Sequence, residues 1–126
     1  INEHSISTID RHIRDDIMTF PYSIICEKDN WNISLAKVIK YPVYISVDKD
    51  VFSKNIAATN WDQGDMTMKD FLKAFEAIAN VAKIIGMDVC GEYSIDYRMP
   101  NLFAEANLKN NVINKELMNL GNEVIE

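Results

Sequence analysis

Val43-Tyr44-Ile45-Ser46-Val47-Asp48-Lys49-Asp50-Val51-Phe52 is the stretch on which the fold turns. Pro42 precedes it, and apolar, β-branched and small residues fill it up to Val47, the composition of a buried strand. Two carboxylates, Asp48 and Asp50, arrive where the apolar run stops. Side chains two apart on a strand project to the same side. Both acids therefore extend together from the strand's C-terminal end, where open α/β sheets hold their ligands. Like charges held close repel, so the pair asks for a cation. Oxygen donors suit Mg²⁺, Ca²⁺ or Mn²⁺ better than thiophilic metals. The competing reading is a solvated loop start that carries two Asp by chance.

Outward from this strand, apolar runs alternate with helix-period segments, the pattern of a parallel sheet covered by helices. Upstream, Ile9, Ile13 and Ile17 predict an amphipathic helix over 7–18, stopped by Pro21. Tyr22 to Cys26 reads as a buried strand. Asn32 to Lys40 reads as a helix that turns Leu35, Val38 and Ile39 to the sheet. Downstream, residues 53–65 have neither period and make a polar excursion just after the paired acids, a usual place for function. Thr67 with Asp70 forms a capping-box-like start. Phe71, Phe75, Ile78, Ala82 and Ile85 predict a helix over 66–85, with Gly86 just past its end and a strand over 87–93. From Pro100 onward, Phe103, Leu108, Val112, Ile113, Leu117 and Leu120 mark one or two helices.

The expected fold is a three-layer α/β/α arrangement on a mostly parallel sheet, with strands near 22–26, 43–48 and 87–93 as parallel neighbours. Three strands are thin for an independent doubly wound sheet, so residues 1–126 read as a single partial domain, half of a larger one. Such a half exposes apolar surface that its missing part, or another copy of the chain, would cover.

Composition narrows the partners. The 126 residues carry a net charge of −6, with 48% hydrophobic and 25% charged residues. No basic cluster is present to neutralise phosphates, which argues against nucleic acid or an anionic membrane. The longest apolar runs are strand-sized, too short for a membrane span or a signal peptide. Cys26 and Cys90 sit in apolar runs and read as buried free thiols of a reduced, cytoplasmic protein. The chain opens on Ile1-Asn2-Glu3, which points to a processed or partial polypeptide.

Three pieces at matching spacing resemble the C-terminal half of the ureohydrolases, the superfamily of arginase, agmatinase and formiminoglutamase. Ser46-Val47-Asp48-Lys49-Asp50 is similar to that family's Ser, aliphatic, Asp, aliphatic, Asp strand. Gly64-Asp65-Met66-Thr67 resembles its Gly-Gly-Leu/Met-Thr helix start, and Gly86-Met87-Asp88-Val89 its Gly-Phe/Leu-Asp-Ile/Val stretch. The likeness covers roughly residues 41–94. It implies an arginase-like fold in which Asp48 and Asp50 bridge two Mn²⁺ ions, with Mg²⁺ as the alternative, so that activated water attacks a C–N carbon of a small-molecule substrate. The family's His and Asp-x-His-x-Asp ligands lie upstream, and His4 and His12 form no such block, so the resemblance implies that the upstream half is missing here.

Around the acids, Asn60, Trp61, Asp62 and Glu92 are candidate substrate contacts, and Ser46 and Asp88 candidate hydrogen-bond partners behind the ligands. The family's guanidinium-gripping Glu falls at Gly91, with Glu92 one place later, which on a strand faces the other way. The expectation is therefore a manganese-dependent hydrolase of amidine, guanidine or amide C–N bonds, on a substrate other than arginine, acting as a homo-oligomer. The alternative is a non-catalytic arginase-like module for assembly or ligand binding.

Overall fold

A computed structural model describes residues 18–26 and 30–125. Its elements are α1 (Tyr22–Cys26), α2 (Asn30–Val38), β1 (Val43–Asp48), a 3₁₀ turn (Lys49–Val51), α3 (Met68–Val81), β2 (Ile84–Cys90) and α4 (Pro100–Val124). The chain is mixed α/β. β1 and β2 form a two-stranded parallel sheet, with Ser46 opposite Asp88 and Asp48 opposite Cys90. α3 makes the crossover between the strands, as parallel pairing requires. The predicted helix over 7–18 falls on residues outside those described, apart from Met18.

Three sequence expectations are corrected. Tyr22–Cys26 is a helix, not a strand. The Pro21 carbonyl accepts from the amides of Ile24 (3.0 Å) and Ile25 (3.3 Å), so Pro21 opens this turn. A five-residue apolar run carries no period that separates helix from strand, and proline's fixed φ suits a helix's first turn. The described residues therefore contain two parallel neighbours rather than three. Second, α3 ends at Val81 and β2 spans Ile84–Cys90, so the helix is shorter than 66–85 and the strand starts before 87 and ends before 93. Ile85 sits at the helix spacing, but the chain has already turned extended at Ala82 (φ −146°, ψ 149°). Gly86 lies within the strand, where the Tyr44 ring crosses it so closely that a Cβ would come within 2.6 Å. Third, Leu35 faces α3 rather than the sheet: it packs with Trp31 and Ala77, with Ile39 beside them.

The register slips once, between Val43 and Tyr44, leaving Ile85 as an unpaired bulge residue that is 54% exposed. From there the period of two sorts the sheet. Ile45, Val47, Met87 and Val89 turn into the main core with Phe52, Phe71, Phe75, Ile113 and Leu117. Phe71 and Phe75 come from the apolar stripe of α3, and Ile113 and Leu117 from that of α4. Phe52 meets Phe71 edge to face at 5.3 Å. Burial of each such side chain contributes about 1.5–3 kcal/mol. Tyr44, Ser46, Asp48, Asp88 and Cys90 occupy the opposite face and are exposed. Parallel sheets are ordinarily covered on both faces; here the described helices cover one.

α3 starts as its sequence dictates. Thr67 caps it by accepting from the Asp70 amide at 3.2 Å, and its hydroxyl donates to Asp70 Oδ2 at 2.6 Å. Tyr22 donates to the same oxygen at 2.8 Å and ties α1 to this helix start. These two hydrogen bonds, Thr67's first, hold the Asp70 carboxyl below its usual range.

Candidate functional site

The strand end is built by a change of geometry at Asp48. Its side chain accepts from the Asp50 amide at 3.0 Å and so caps the Lys49–Val51 turn. The turn is pinned on its far side, where Gly64 donates to the Asp50 carbonyl at 2.7 Å and Met66 to that of Val51 at 3.1 Å. Asp48 stays exposed, while Asp50 is half-buried. Asp50 Oδ1 is buried and has no hydrogen-bond partner among the described residues, a condition shared only by Trp31 Nε1. A buried carboxylate oxygen without a donor is costly, and a cation would relieve it.

Lys49, between the two acids, takes the opposite course. It is fully buried. Its ammonium pairs with Glu92 Oε1 and donates to Asn114 Oδ1 at 2.9 Å. Asn114 Nδ2 returns a hydrogen bond to Glu92 Oε1 at 3.0 Å, and Asn110 Nδ2 reaches Oε2 at 3.1 Å. Burial pushes the Glu92 carboxyl up, but the hydrogen bonds from Lys49 and Asn114, the Lys49 charge and Asn110 outweigh it, so its pKa is lowered. Both Glu92 oxygens are thus engaged within the protein.

Asn110 is fully buried and clamps the excursion over 53–65, accepting from the Ala58 amide at 2.9 Å and donating to the Ala58 carbonyl at 2.8 Å. Gln63 ties the same segment inward by donating to the carbonyls of Phe52 (3.2 Å) and Ala57 (3.0 Å). A cavity of about 230 Å³ lies beside it, lined by Ala58, Tyr93, Leu102, Glu105, Ala106 and Lys109.

β2 delivers its own groups to the sheet's open face. Ser46 donates to Asp88 Oδ1 at 2.7 Å. Tyr44 hydrogen-bonds Asp88 as well, which raises the phenol's pKa. Cys90 is a free, exposed thiol rather than the buried one its apolar neighbours suggested, because its place in the strand period faces outward. Partial burial raises its pKa first, followed by the charges of Asp48, Asp88 and Asp50. Gly91 then turns the chain with φ +83°, and a Cβ there would stand 2.7 Å from Asp48 Oδ1. Only glycine permits both the turn and the approach.

Of the residues singled out in sequence, Ser46, Asp48 and Asp88 thus share one sheet face, with Asp50 just beyond. Asn60 accepts from the Ser94 amide, Trp61 is 76% exposed, and Asp62 is exposed. Lys49, Asn110 and Asn114 were missed. The signal for the asparagines was available: Asn110 occupies the stripe of Ala106, Ile113 and Leu117, where an amide must find buried partners. As a cation site the acids offer hard oxygen donors, with Asp50 Oδ1 already desolvated. Among the described residues no group of three or more His, Cys, Asp or Glu could hold a metal ion. No helix among them is long and apolar enough to cross a membrane.

No family model and no solved structure matches the chain. Over 53 residues it is 42% identical to an uncharacterized protein of Thermotoga maritima, a stretch that is 42% of this chain and 21% of that protein, so the chain spans about a fifth of its relative's length.

Proposed function

We propose that this chain is the C-terminal part of a manganese-dependent hydrolase of non-peptide C–N bonds, of the arginase-like class, with Asp48 and Asp50 as metal ligands. The observation that carries this reading is the buried Asp50 Oδ1 with no partner among the described residues, beside Asp48 at the C-terminal end of a parallel strand. Hard divalent ions take six or more oxygens, so the remaining ligands come from outside this pair. Bound manganese, or magnesium in its place, would supply Lewis acidity that activates water at neutral pH.

The chain's own residues do the rest. Asp48 Oδ1 is held by the Asp50 amide, which fixes the carboxylate's orientation. Lys49 is drawn inward to Glu92 and leaves the two acids unscreened. Asn60, Trp61 and Asp62 are the proposed substrate contacts, and Ser46 donates to Asp88 on the sheet face that carries Asp48. Gly91 leaves no carboxylate for a guanidinium in the position the resemblance assigns, and Glu92 is already paired, so the proposed substrate is an amidine, guanidine or amide other than arginine. In the complete protein the open sheet face would gain its third layer, from the missing half or another copy of the chain.

Calorimetry with Mn²⁺ on the full-length protein tests the reading. Asp48→Asn and Asp50→Asn should each weaken binding; unchanged affinity in both would return these acids to a solvated strand end.

A further inference from the structure

We infer that Lys49 is the positioning residue of the Asp48/Asp50 pair, a buried cation that anchors the turn carrying both acids to α4 through Glu92 and Asn114. The inference rests on the proposed function for its consequence, but not for its geometry.

A lysine between two aspartates at a strand end is expected in water, where its ammonium is best solvated and neutralises its neighbours. Lys49 instead is fully buried and spends its charge on Glu92, 43 residues away, and on Asn114, 65 residues away. Burying an ammonium is costly unless it is paired and hydrogen-bonded, so its direction is set by the partners it finds. That direction constrains its neighbours. Lys49 is the first residue of the 3₁₀ turn, and its carbonyl accepts from the Phe52 amide at 3.1 Å. With its side chain fixed inward, Asp48 on one side and Asp50 on the other emerge in fixed directions. The same Glu92 is held by Asn110, which clamps Ala58. The acid pair, the segment after β2 and the 53–65 excursion are therefore referenced to one helix.

Neither Lys49 nor Glu92 needs to touch a metal or a substrate in this role. Outer groups that orient metal ligands typically change metal affinity about 10–100-fold when removed.

The test compares full-length wild type with Lys49→Met by amide hydrogen exchange and by Mn²⁺ calorimetry. The Asp50 amide, bonded to Asp48 Oδ1, and the Gly64 amide, bonded to the Asp50 carbonyl, report on the turn. The Phe75 amide in the middle of α3 reports on global stability. A positioning role predicts that the Asp50 and Gly64 amides of Lys49→Met exchange about tenfold faster relative to Phe75, as in local opening. Mn²⁺ affinity should fall by about tenfold or more. If all three amides speed up together, Lys49 serves stability alone and the inference is overturned. It is likewise overturned if the Asp50 and Gly64 amides keep their protection. Selective loss of protection in Lys49→Met, together with a wild type that binds no Mn²⁺, sustains the positioning role and removes the proposed function instead. Should Lys49→Met fail to fold, Asn114→Ala leaves the ion pair in place and must give the same selective pattern, smaller in size.

Discussion

The two faces of the β1–β2 sheet are written by one strand sequence and have opposite chemistry. Ile45 and Val47, with Met87 and Val89, belong to a core closed by α3 and α4. Tyr44, Ser46 and Asp48, with Asp88 and Cys90, stand exposed on the other side. The closed face is held by contact area and is insensitive to pH. The open face is held by directional bonds, Ser46 and Tyr44 converging on Asp88. Stability therefore resides on one side of a two-strand layer, and titratable chemistry on the other. A parallel pair with one face uncovered by the described residues also goes with Tyr44 and Ile85 being more than half exposed.

The contrast breaks most readily on the closed side. Phe75→Ala removes a ring that is 3% exposed, with a tightly packed core around it. It should lower unfolding free energy by about 3–5 kcal/mol in urea titration, whereas Ser46→Ala on the open face should cost less than about 1 kcal/mol. Equal losses would mean that the open face is covered after all.

Asn110→Ala comes next. It strips both polar groups of Ala58 of their partner and one hydrogen bond from Glu92, and should cost about 1–3 kcal/mol by the same titration. Proteolysis in the 53–65 segment should rise in step with it. An unchanged cleavage rate would show that Gln63 alone holds the excursion.

A smaller effect sharpens the difference in titration. Because the folded Tyr44 value is raised by Asp88, that contact's contribution is intact below about pH 10 and is lost as pH climbs through the shifted value. Difference absorbance of phenolate should place Tyr44 above the ordinary range, and Asp88→Asn should bring it back. A Tyr44 that titrates ordinarily in the wild type would dissolve the Tyr44–Asp88 contact. Least in size is the behaviour of Cys90. Its raised pKa predicts slower alkylation by iodoacetamide near pH 8 than an unhindered thiol shows, with Asp48→Asn accelerating it. Peptide-level mass spectrometry separates Cys90 from Cys26.

Much of this was legible in the sequence, and the failures have identifiable causes. The 43–48 strand and the Thr67 cap are encoded within a few residues, by period and by turn chemistry, and both stand as expected. The parallel partner is also encoded, but its bounds are not. Ile84 and Ile85 satisfy a helical stripe and a strand equally well, and the bulge at Ile85 decides between them only once β1 is in place. The run over 22–26 is short enough that Pro21 outweighs its apolar content. For the candidate site, the acid pair was visible as a pattern, but the strand period does not place it: the strand ends at Asp48 and Asp50 lies in the 3₁₀ turn. Lys49 was not, because nothing local separates a buried lysine from a solvated one; its partners are Glu92, just after β2, and Asn114 of α4.

Gly91 sets a limit on redesign. An engineer wishing to give this scaffold an arginine-like specificity would begin by restoring the carboxylate that the resemblance places at that position. The backbone there has φ +83°, a conformation that L side chains rarely adopt, and any side chain begins with a Cβ 2.7 Å from Asp48 Oδ1. Gly91→Glu would thus push aside the Asp48 carboxylate. Guanidinium recognition could be introduced only from another element, so retrofitting the strand end one residue at a time is closed as a route.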